Sequence, residues 1–294
     1  MSSNDPRALL PVLAMLVGAS MWGVVWYPMR LLEAGGLQGL WLSLLLYGTA
    51  LVVALPRTWR TFGEFRRNPS WVALLIGTAG WTNVAFILAV LEGNVLRVLL
   101  LFYLSPLWAT LLAWAILRER IAPIGYLSLG LAMLGAVVML WNSTLGAPWP
   151  AGRADWMALS SGVAFAVSIV ATRKLQEVTV AAKLVCVWLG VVLVAGVMIA
   201  VFGVPLPRVE PSIYAGAVAL GVGGIVLMTL FVQYGVTHLP VHRSAVLALI
   251  ELVAGAISQQ LLTDEIVTPR EWAGGALIVI GAYLAAHAAT RRKE

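Results

Sequence analysis

Residues 94–123, NVLRVLLLFYLSPLWATLLAWAILRERIAP, and residues 240–269, PVHRSAVLALIELVAGAISQQLLTDEIVTP, are one motif written twice in a single gap-free register. An offset of 146 carries Arg97 to Arg243, Leu101 to Leu247, Glu119 to Glu265 and Pro123 to Pro269. The match runs on through Gly135 over Gly281 and Ala136 over Ala282. Leucines and alanines coincide easily in an apolar chain, but Arg, Glu, Pro and Gly sharing one register mark a duplication. Whatever this chain folds into must therefore be two copies of one unit.

The solvent of that unit follows from composition. With 61% hydrophobic and 11% charged residues, the charged share falls well below the roughly 25% of a soluble globule. The chain reads as an integral membrane protein. Ten apolar segments, at about 8–29, 38–55, 70–91, 95–117, 122–141, 154–173, 180–203, 212–237, 241–262 and 271–289, each suffice to cross a hydrocarbon core of about 30 Å. Lipid offers backbone groups no partners, and continuous apolar runs without period-two alternation predict helices over barrel strands. The expected fold class is an all-α integral membrane protein of ten transmembrane helices. The run after MSSNDPR is too long for a signal-peptide core and is read as the first span. Thirteen Trp and seven Tyr suit two membrane–water interfaces.

Loop charge sets the orientation. A cytoplasmic N-terminus places 14 of the 19 Lys and Arg residues inside and leaves Arg30, Arg97, Arg153, Arg208 and Arg270 outside. Both termini are then cytoplasmic, in a cell inner membrane. The net charge of +6 is dispersed through short loops as topology signals, so no nucleic-acid surface is expected. Five helices per repeat is an odd number, so the two copies must cross the membrane in opposite senses. The halves are residues 1–145 and 146–294, with the Gly- and Pro-rich segment 142–153 between them. The first helices of the halves agree more loosely, at an offset of 143, where Arg30 falls on Arg173 and Trp22 on Phe165. Inverted repeats place a midplane site between two similar bodies that can rock about it. The implied class is a secondary transporter working by alternating access.

In each half the fourth helix carries a Pro-or-Glu position and ends on Glu, and a Gly-bearing fifth helix follows. The residues are Pro106, Glu119 and Gly135, then Glu251, Glu265, Gly274 and Gly281. This pattern resembles the drug/metabolite transporter superfamily, EamA type, over essentially the whole chain. The segment Tyr103-Leu104-Ser105-Pro106 is similar to that of the YddG-like amino-acid exporters, with Ser105 standing where those proteins have an aromatic. The resemblance implies export from the cytoplasm, a small-molecule substrate, no organic cofactor, and a central cavity lined by helices 1, 3, 4, 6, 8 and 9. It points to amino acids, aromatic and other neutral ones, with amphipathic drugs or other metabolites carried by proton antiport as the alternative. The expected unit is a monomer or a homodimer.

Glu251 is the sharpest chemical signal. It lies near the middle of the ninth span, where a lipid-facing carboxylate is expensive, so it must face inward. It is the candidate coupling residue. Ser244, Glu251 and Ser258 recur every seven residues and share one predicted face. The register lays Glu251 on Ser105 and Thr229 on Asn83, and Gln233 lies one turn beyond Thr229. These positions should converge near a pseudo-two-fold axis. Trp22, Trp26, Trp81, Tyr103, Trp108 and Tyr234 are the candidate walls, since small-molecule sites are mostly apolar with few polar contacts. The substrate-binding set is Trp26, Trp81, Asn83, Tyr103, Ser105, Thr229, Gln233 and Glu251. Arg97 and Arg243 read as gates, carboxylate clamps or snorkelling interfacial residues. Glu119 and Glu265 precede Pro123 and Pro269 by four residues, where each carboxylate can accept backbone donors at the start of the next helix.

Catalytic chemistry finds little to work with. His238 and His242 lack the intervening Glu of a metalloprotease helix, the lone Cys186 reads as a buried small hydrophobe, and no phosphate-binding Gly-rich segment appears. The chain is expected to be no enzyme and to bind no metal.

Overall fold

A computed structural model describes residues 6–37, 39–141, 149–264 and 266–287. Glu265, Arg291, Arg292, Lys293 and most of the 142–153 linker lie outside the described residues. Regular structure among the described residues is helical throughout. The helices are α1 (Pro6–Ala34), α2 (Gly39–Thr58), α3 (Pro69–Glu92), α4 (Val95–Phe102), α5 (Ser105–Leu112), α6 (Pro123–Leu140), α7 (Arg153–Lys174), α8 (Val180–Phe202), α9 (Pro211–Ala219), α10 (Val226–His238), α11 (Val241–Ala248), α12 (Ile250–Leu262) and α13 (Pro269–His287). Among the described residues nine stretches are long and apolar enough to cross a bilayer. α13, at 19 residues, packs lengthwise on α6 and completes the bundle.

Three spans are interrupted, and two of the interruptions follow the repeat. Pro106 has no amide proton to give to the preceding turn, and the backbone tightens there. The Leu104 N–H donates to the Leu101 carbonyl at 3.4 Å, and the Leu107 N–H to that of Leu104 at 3.0 Å. This separates α4 from α5. In the second half the Leu249 N–H donates to the Val246 carbonyl at 3.1 Å and the Leu252 N–H to that of Leu249 at 3.1 Å. This separates α11 from α12. Position 249 is the register mate of position 103, yet no proline is present, so packing imposes the second break where proline chemistry makes the first. A third interruption, a wide π turn over Leu220–Ile225, joins α9 to α10, at the glycine-rich LGVGGI segment.

Helices approach where side chains are missing. A Cβ on Gly80 would stand 2.3 Å from the Gly190 carbonyl oxygen, and one on Gly190 would stand 2.1 Å from that of Ile76. This fastens α3 to α8. Between α6 and α13, Gly135 and Gly274 oppose each other's carbonyls, and Ser128 Oγ donates to the Gly281 carbonyl at 2.8 Å. Adding 146 to one member and subtracting it from the other turns the pair 135–274 into the pair 281–128. The two contacts therefore exchange with each other. The same swap carries the α3–α8 pair 76–190 to 222–44, within two residues of the observed approach of Gly221 to the Leu46 carbonyl of α2.

Lys183, one of the 14 basic residues counted on the cytoplasmic side, does not stand in solvent. It is fully buried in the first turns of α8, with Nζ donating to Thr237 Oγ1 at 3.3 Å. Arg243 is 8% exposed, with its guanidinium donating to the Ala285 and Ala286 carbonyls that end α13 at 2.6 and 2.8 Å. It closes a helix end, where the sequence suggested gate, clamp or snorkelling anchor.

A pair of substitutions on one helix tests the close approach. Gly77→Ala meets nothing within 4 Å and should be neutral or slightly stabilising, since Ala is the better helix former. Gly80→Ala drives a methyl into the Gly190 backbone and should cost about 1–3 kcal/mol. Thermal unfolding of the detergent-solubilised protein should show the second variant alone losing several degrees.

Candidate functional site

The α4–α5 and α11–α12 breaks face a cavity of about 250 Å³ between the halves. Its wall comes from eight of the apolar segments marked in the sequence. α1 supplies Met15, Ala19 and Trp22, and α3 supplies Thr82, Asn83 and Phe86. The α4–α5 break brings Phe102, Tyr103, Ser105 and Pro106, and α7 brings Phe165, Ser168 and Thr172. α10 contributes Thr229 and Gln233, and the α11–α12 break contributes Leu249 and Glu251. Two further segments line it beyond the six expected, through Tyr47 on α2 and Val187 and Val191 on α8.

Of the eight residues singled out from sequence, six meet at this cavity: Asn83, Tyr103, Ser105, Thr229, Gln233 and Glu251. Trp22 and its register mate Phe165 meet there too. Trp26 and Trp81 do not line it. Trp26 Nε1 donates to Ser258 Oγ at 2.9 Å, and Ser258 Oγ donates on to the Gly23 carbonyl at 2.9 Å. This chain stitches α1 to α12. Trp81 is 36% exposed on the outer side of α3, with Nε1 3.2 Å from Ser160 Oγ of α7. Trp108 and Tyr234 also stand outside the wall.

The predicted Ser244–Glu251–Ser258 face is not one surface. The break at Leu249 interrupts it, Ser244 is buried and bonds back to the Val241 carbonyl at 3.0 Å, and α1 covers Ser258. A Cβ on Gly23 would lie 2.4 Å from the Glu251 carbonyl oxygen, so α1 presses its backbone on the turn that carries the acid. Glu251 alone of the three reaches the cavity.

The polar groups gather in one corner. The Glu251 carboxyl is hydrogen-bonded with the Tyr103 hydroxyl, and Tyr47 lines the same cavity. Asn83 Nδ2 donates to the Tyr47 hydroxyl at 3.4 Å, while Asn83 Oδ1 is buried without a hydrogen-bond partner. Thr229 and Gln233 spend their polarity differently. Thr229 Oγ1 accepts from Trp188 Nε1 at 3.1 Å and Gln233 Nε2 donates to Thr172 Oγ1 at 3.1 Å, both as ties between helices. The aromatics Tyr47, Phe86, Phe102 and Phe165 were passed over as wall candidates. Only the Trp22–Phe165 register match hinted at one of them, because a Phe in an apolar run carries no polar signal.

Beyond the cavity, at the end of the bundle where α10 turns into α11, a polar cluster joins the halves. The π turn Ala113–Leu117 ends at Arg118, whose φ of 56° reverses the chain and presents Glu119. Its carboxylate accepts the Val241 N–H at 3.0 Å and lies 3.5 Å from the Arg173 guanidinium, which also donates to the Thr237 carbonyl at 2.9 Å. Glu119 therefore serves the first turn of α11 in the opposite half, and not the helix at Pro123 that follows it. The reason is geometric, since Pro123 opens α6 without an amide proton to offer. At the other end Arg97 pairs with Asp155 at 2.8 Å, an acid that also accepts the Ala151 N–H at 2.9 Å. Asp155 gave no signal in the sequence.

Comparison with known proteins bears on what this cavity serves. A model of the EamA-like transporter family matches residues 9–141 and 152–286. A Pseudomonas aeruginosa protein named "Uncharacterized transporter PA0485" is 31% identical over 112 residues, 35% of this chain and 35% of that protein, so the match spans about a third of that relative. A solved crystal structure superposes with a TM-score of 0.77 at 20% identity, covering 96% of this chain and 99% of the other. At that identity the likeness speaks for the fold alone.

The half-crossing cluster yields a stability prediction. Glu119→Ala strips the Val241 N–H of its partner and should cost about 1–3 kcal/mol. Glu119→Gln keeps an acceptor there and should lose less than half as much in the same denaturant titration. Equal losses would place the cost in the Arg173 ion pair.

Proposed function

We propose, on the premise that this chain belongs to the EamA-like transporter family, that it is a secondary transporter of small amphipathic metabolites bearing an amino group. It works in the cytoplasmic membrane by alternating access. In this reading it has ten transmembrane helices in two inverted five-helix halves, 1–145 and 146–294, with both termini in the cytoplasm and export as the direction. The exchange of the 135–274 and 281–128 contacts supports the inverted relation, because a two-fold axis between opposed halves maps each pair onto the other. A protein built this way can trade one set of half-to-half contacts for its mirror set at little net cost.

One observation carries the reading: an aromatic-walled cavity between the halves, at the helix breaks, that contains Glu251. Broken helices at a midplane site are where transporters of this general plan hold substrate. The acid supplies a counter-ion to an amine, and the rings supply apolar walls. Amino acids, the cargo suggested by the sequence, satisfy this requirement. Proton antiport of amphipathic drugs or other metabolites is the second reading. It is favoured by the same residue, since a carboxyl group that binds either a proton or a cation couples the two.

Purified protein in liposomes, preloaded with unlabelled amine or amino acid, should accumulate the labelled compound by counterflow. Glu251→Gln should reduce that uptake at least about ten-fold, the loss expected when a charge-assisted contact is removed. Uptake that follows an imposed pH gradient in the wild type and ignores it in the variant would establish coupling through Glu251. Absence of counterflow with every amine tried would sink the cargo assignment.

A further inference from the structure

We infer that the cavity selects its cargo by charge, accepting organic monocations and discriminating against zwitterions and anions that share the same apolar body. The inference rests on the proposed use of this cavity and narrows it from amine-bearing molecules to those without a carboxylate.

Among the described residues the lining holds one acid and no Lys, Arg or His. The basic residues nearest in the fold are engaged elsewhere. Arg173 lies with Glu119 and the Thr237 carbonyl, Lys183 with Thr237 Oγ1, Arg243 with the carbonyls ending α13, and Arg97 with Asp155. No cationic side chain is therefore turned into the cavity to receive a carboxylate.

Backbone amides could replace such a side chain, because a broken helix presents the start of its second half as an anion site. Here several of these amides are already used. At the start of α5, Pro106 has no amide proton, and the Leu107 and Trp108 N–H groups both donate to the Leu104 carbonyl, at 3.0 and 3.4 Å. At the start of α12 the Leu252 N–H donates to the Leu249 carbonyl at 3.1 Å, and Glu251 itself adds negative charge to that turn. A substrate carboxylate would be brought beside this acid with nothing to neutralise it, and like charges at short range in a water-poor site repel strongly.

Acceptors wait instead. Asn83 Oδ1 is buried and without a donor, an arrangement that costs free energy until a donor arrives. The Tyr47 hydroxyl accepts from Asn83 Nδ2, and both residues line the same cavity as the acid. An ammonium group has three protons and no acceptor, so it can satisfy Asn83 Oδ1 and Glu251 together. The rings of Trp22, Tyr47 and Tyr103 around this corner favour cations on their faces. Charge selection thus has three supports: an acid, an orphan acceptor, and, among the described residues, the absence of a cationic side chain in the lining.

The test uses probes of one shape and different charge: phenylethylamine, phenylalanine, phenylalanine amide and 3-phenylpropionate. Binding to full-length protein is read by tryptophan fluorescence and transport by counterflow in liposomes. The amine and the amide should bind at least about ten-fold more tightly than phenylalanine, with phenylpropionate weakest. Glu251→Gln should erase the gap. Asn83→Leu, which leaves the charge in place, should weaken the two cations several-fold and leave phenylpropionate unmoved, and it serves also should Glu251→Gln fail to fold. Phenylalanine bound and carried as well as phenylethylamine would overturn charge selection while leaving the transport reading intact. Failure of the folded wild type to bind any of the four would overturn both.

Discussion

The backbone of this protein has almost nowhere to hide an unpaired hydrogen-bonding group. Lipid accepts none, so every interruption of a helix must be paid for inside the bundle. The breaks at 103–104 and at 249 are therefore the decisive features. Each is closed by tight turns of its own, at Leu104 and Leu107 and at Leu249 and Leu252, and each is walled by neighbouring helices. Only because those turns are self-satisfied can the chain set Ser105 and Glu251 at the starts of new helical segments, mid-bundle and off the lipid face. The cavity is the space these two breaks share.

Placing a carboxylate there is costly; insertion scales put an acid at a helix centre at about 3 kcal/mol. The structure offsets the cost locally through the hydrogen bond between Glu251 and the Tyr103 hydroxyl. It also presses α1 against the same turn, where Gly23 leaves no room for a side chain. The acid is consequently held by backbone packing on one side and by a phenol on the other. A residue so fixed is suited to meet a ligand's charge without first reorganising.

What could be read in the sequence was whatever departed from uniform apolarity. Duplicated Arg, Glu, Pro and Gly revealed two copies, and Asn83, Ser105, Thr229, Gln233 and Glu251 were findable as polar letters inside apolar runs. All five line the cavity. Tryptophans were another matter. A helix apolar on every side gives no rotational phase, so nothing in the chain said that Trp22 faces inward while Trp26, four residues on, bonds to Ser258 and Trp81 bonds to Ser160. The Ser244–Glu251–Ser258 face failed for a related reason. Seven-residue spacing presumes an unbroken helix, and this one breaks at Leu249 without the proline that would have announced it. Glu119 was legible as structural but its partner was not, because Val241 lies in the other half and pairing across the chain leaves no local trace.

That long-range pairing also gives the two ends of the bundle unlike characters. At one, Glu119, Arg173, Thr237 and Lys183 knit the first half to the second around a buried lysine. At the other, the halves are joined by a different pair, Arg97 with Asp155 at 2.8 Å, while Arg30, the register mate of Arg173, is exposed. Equivalent residues thus stand in unequal surroundings, although the helix contacts at 135–274 and 281–128 obey the swap. The helix-to-helix frame is close to symmetric and the polar clusters at its ends are not. In the proposed transport cycle this is the division of labour required: a frame that can tilt either way, and end clusters that hold it in one tilt at a time. On that view the Glu119 cluster and the Arg97–Asp155 pair are the end contacts a change of tilt has to exchange, and Glu251, in the cavity between the breaks, is the group that meets the cargo.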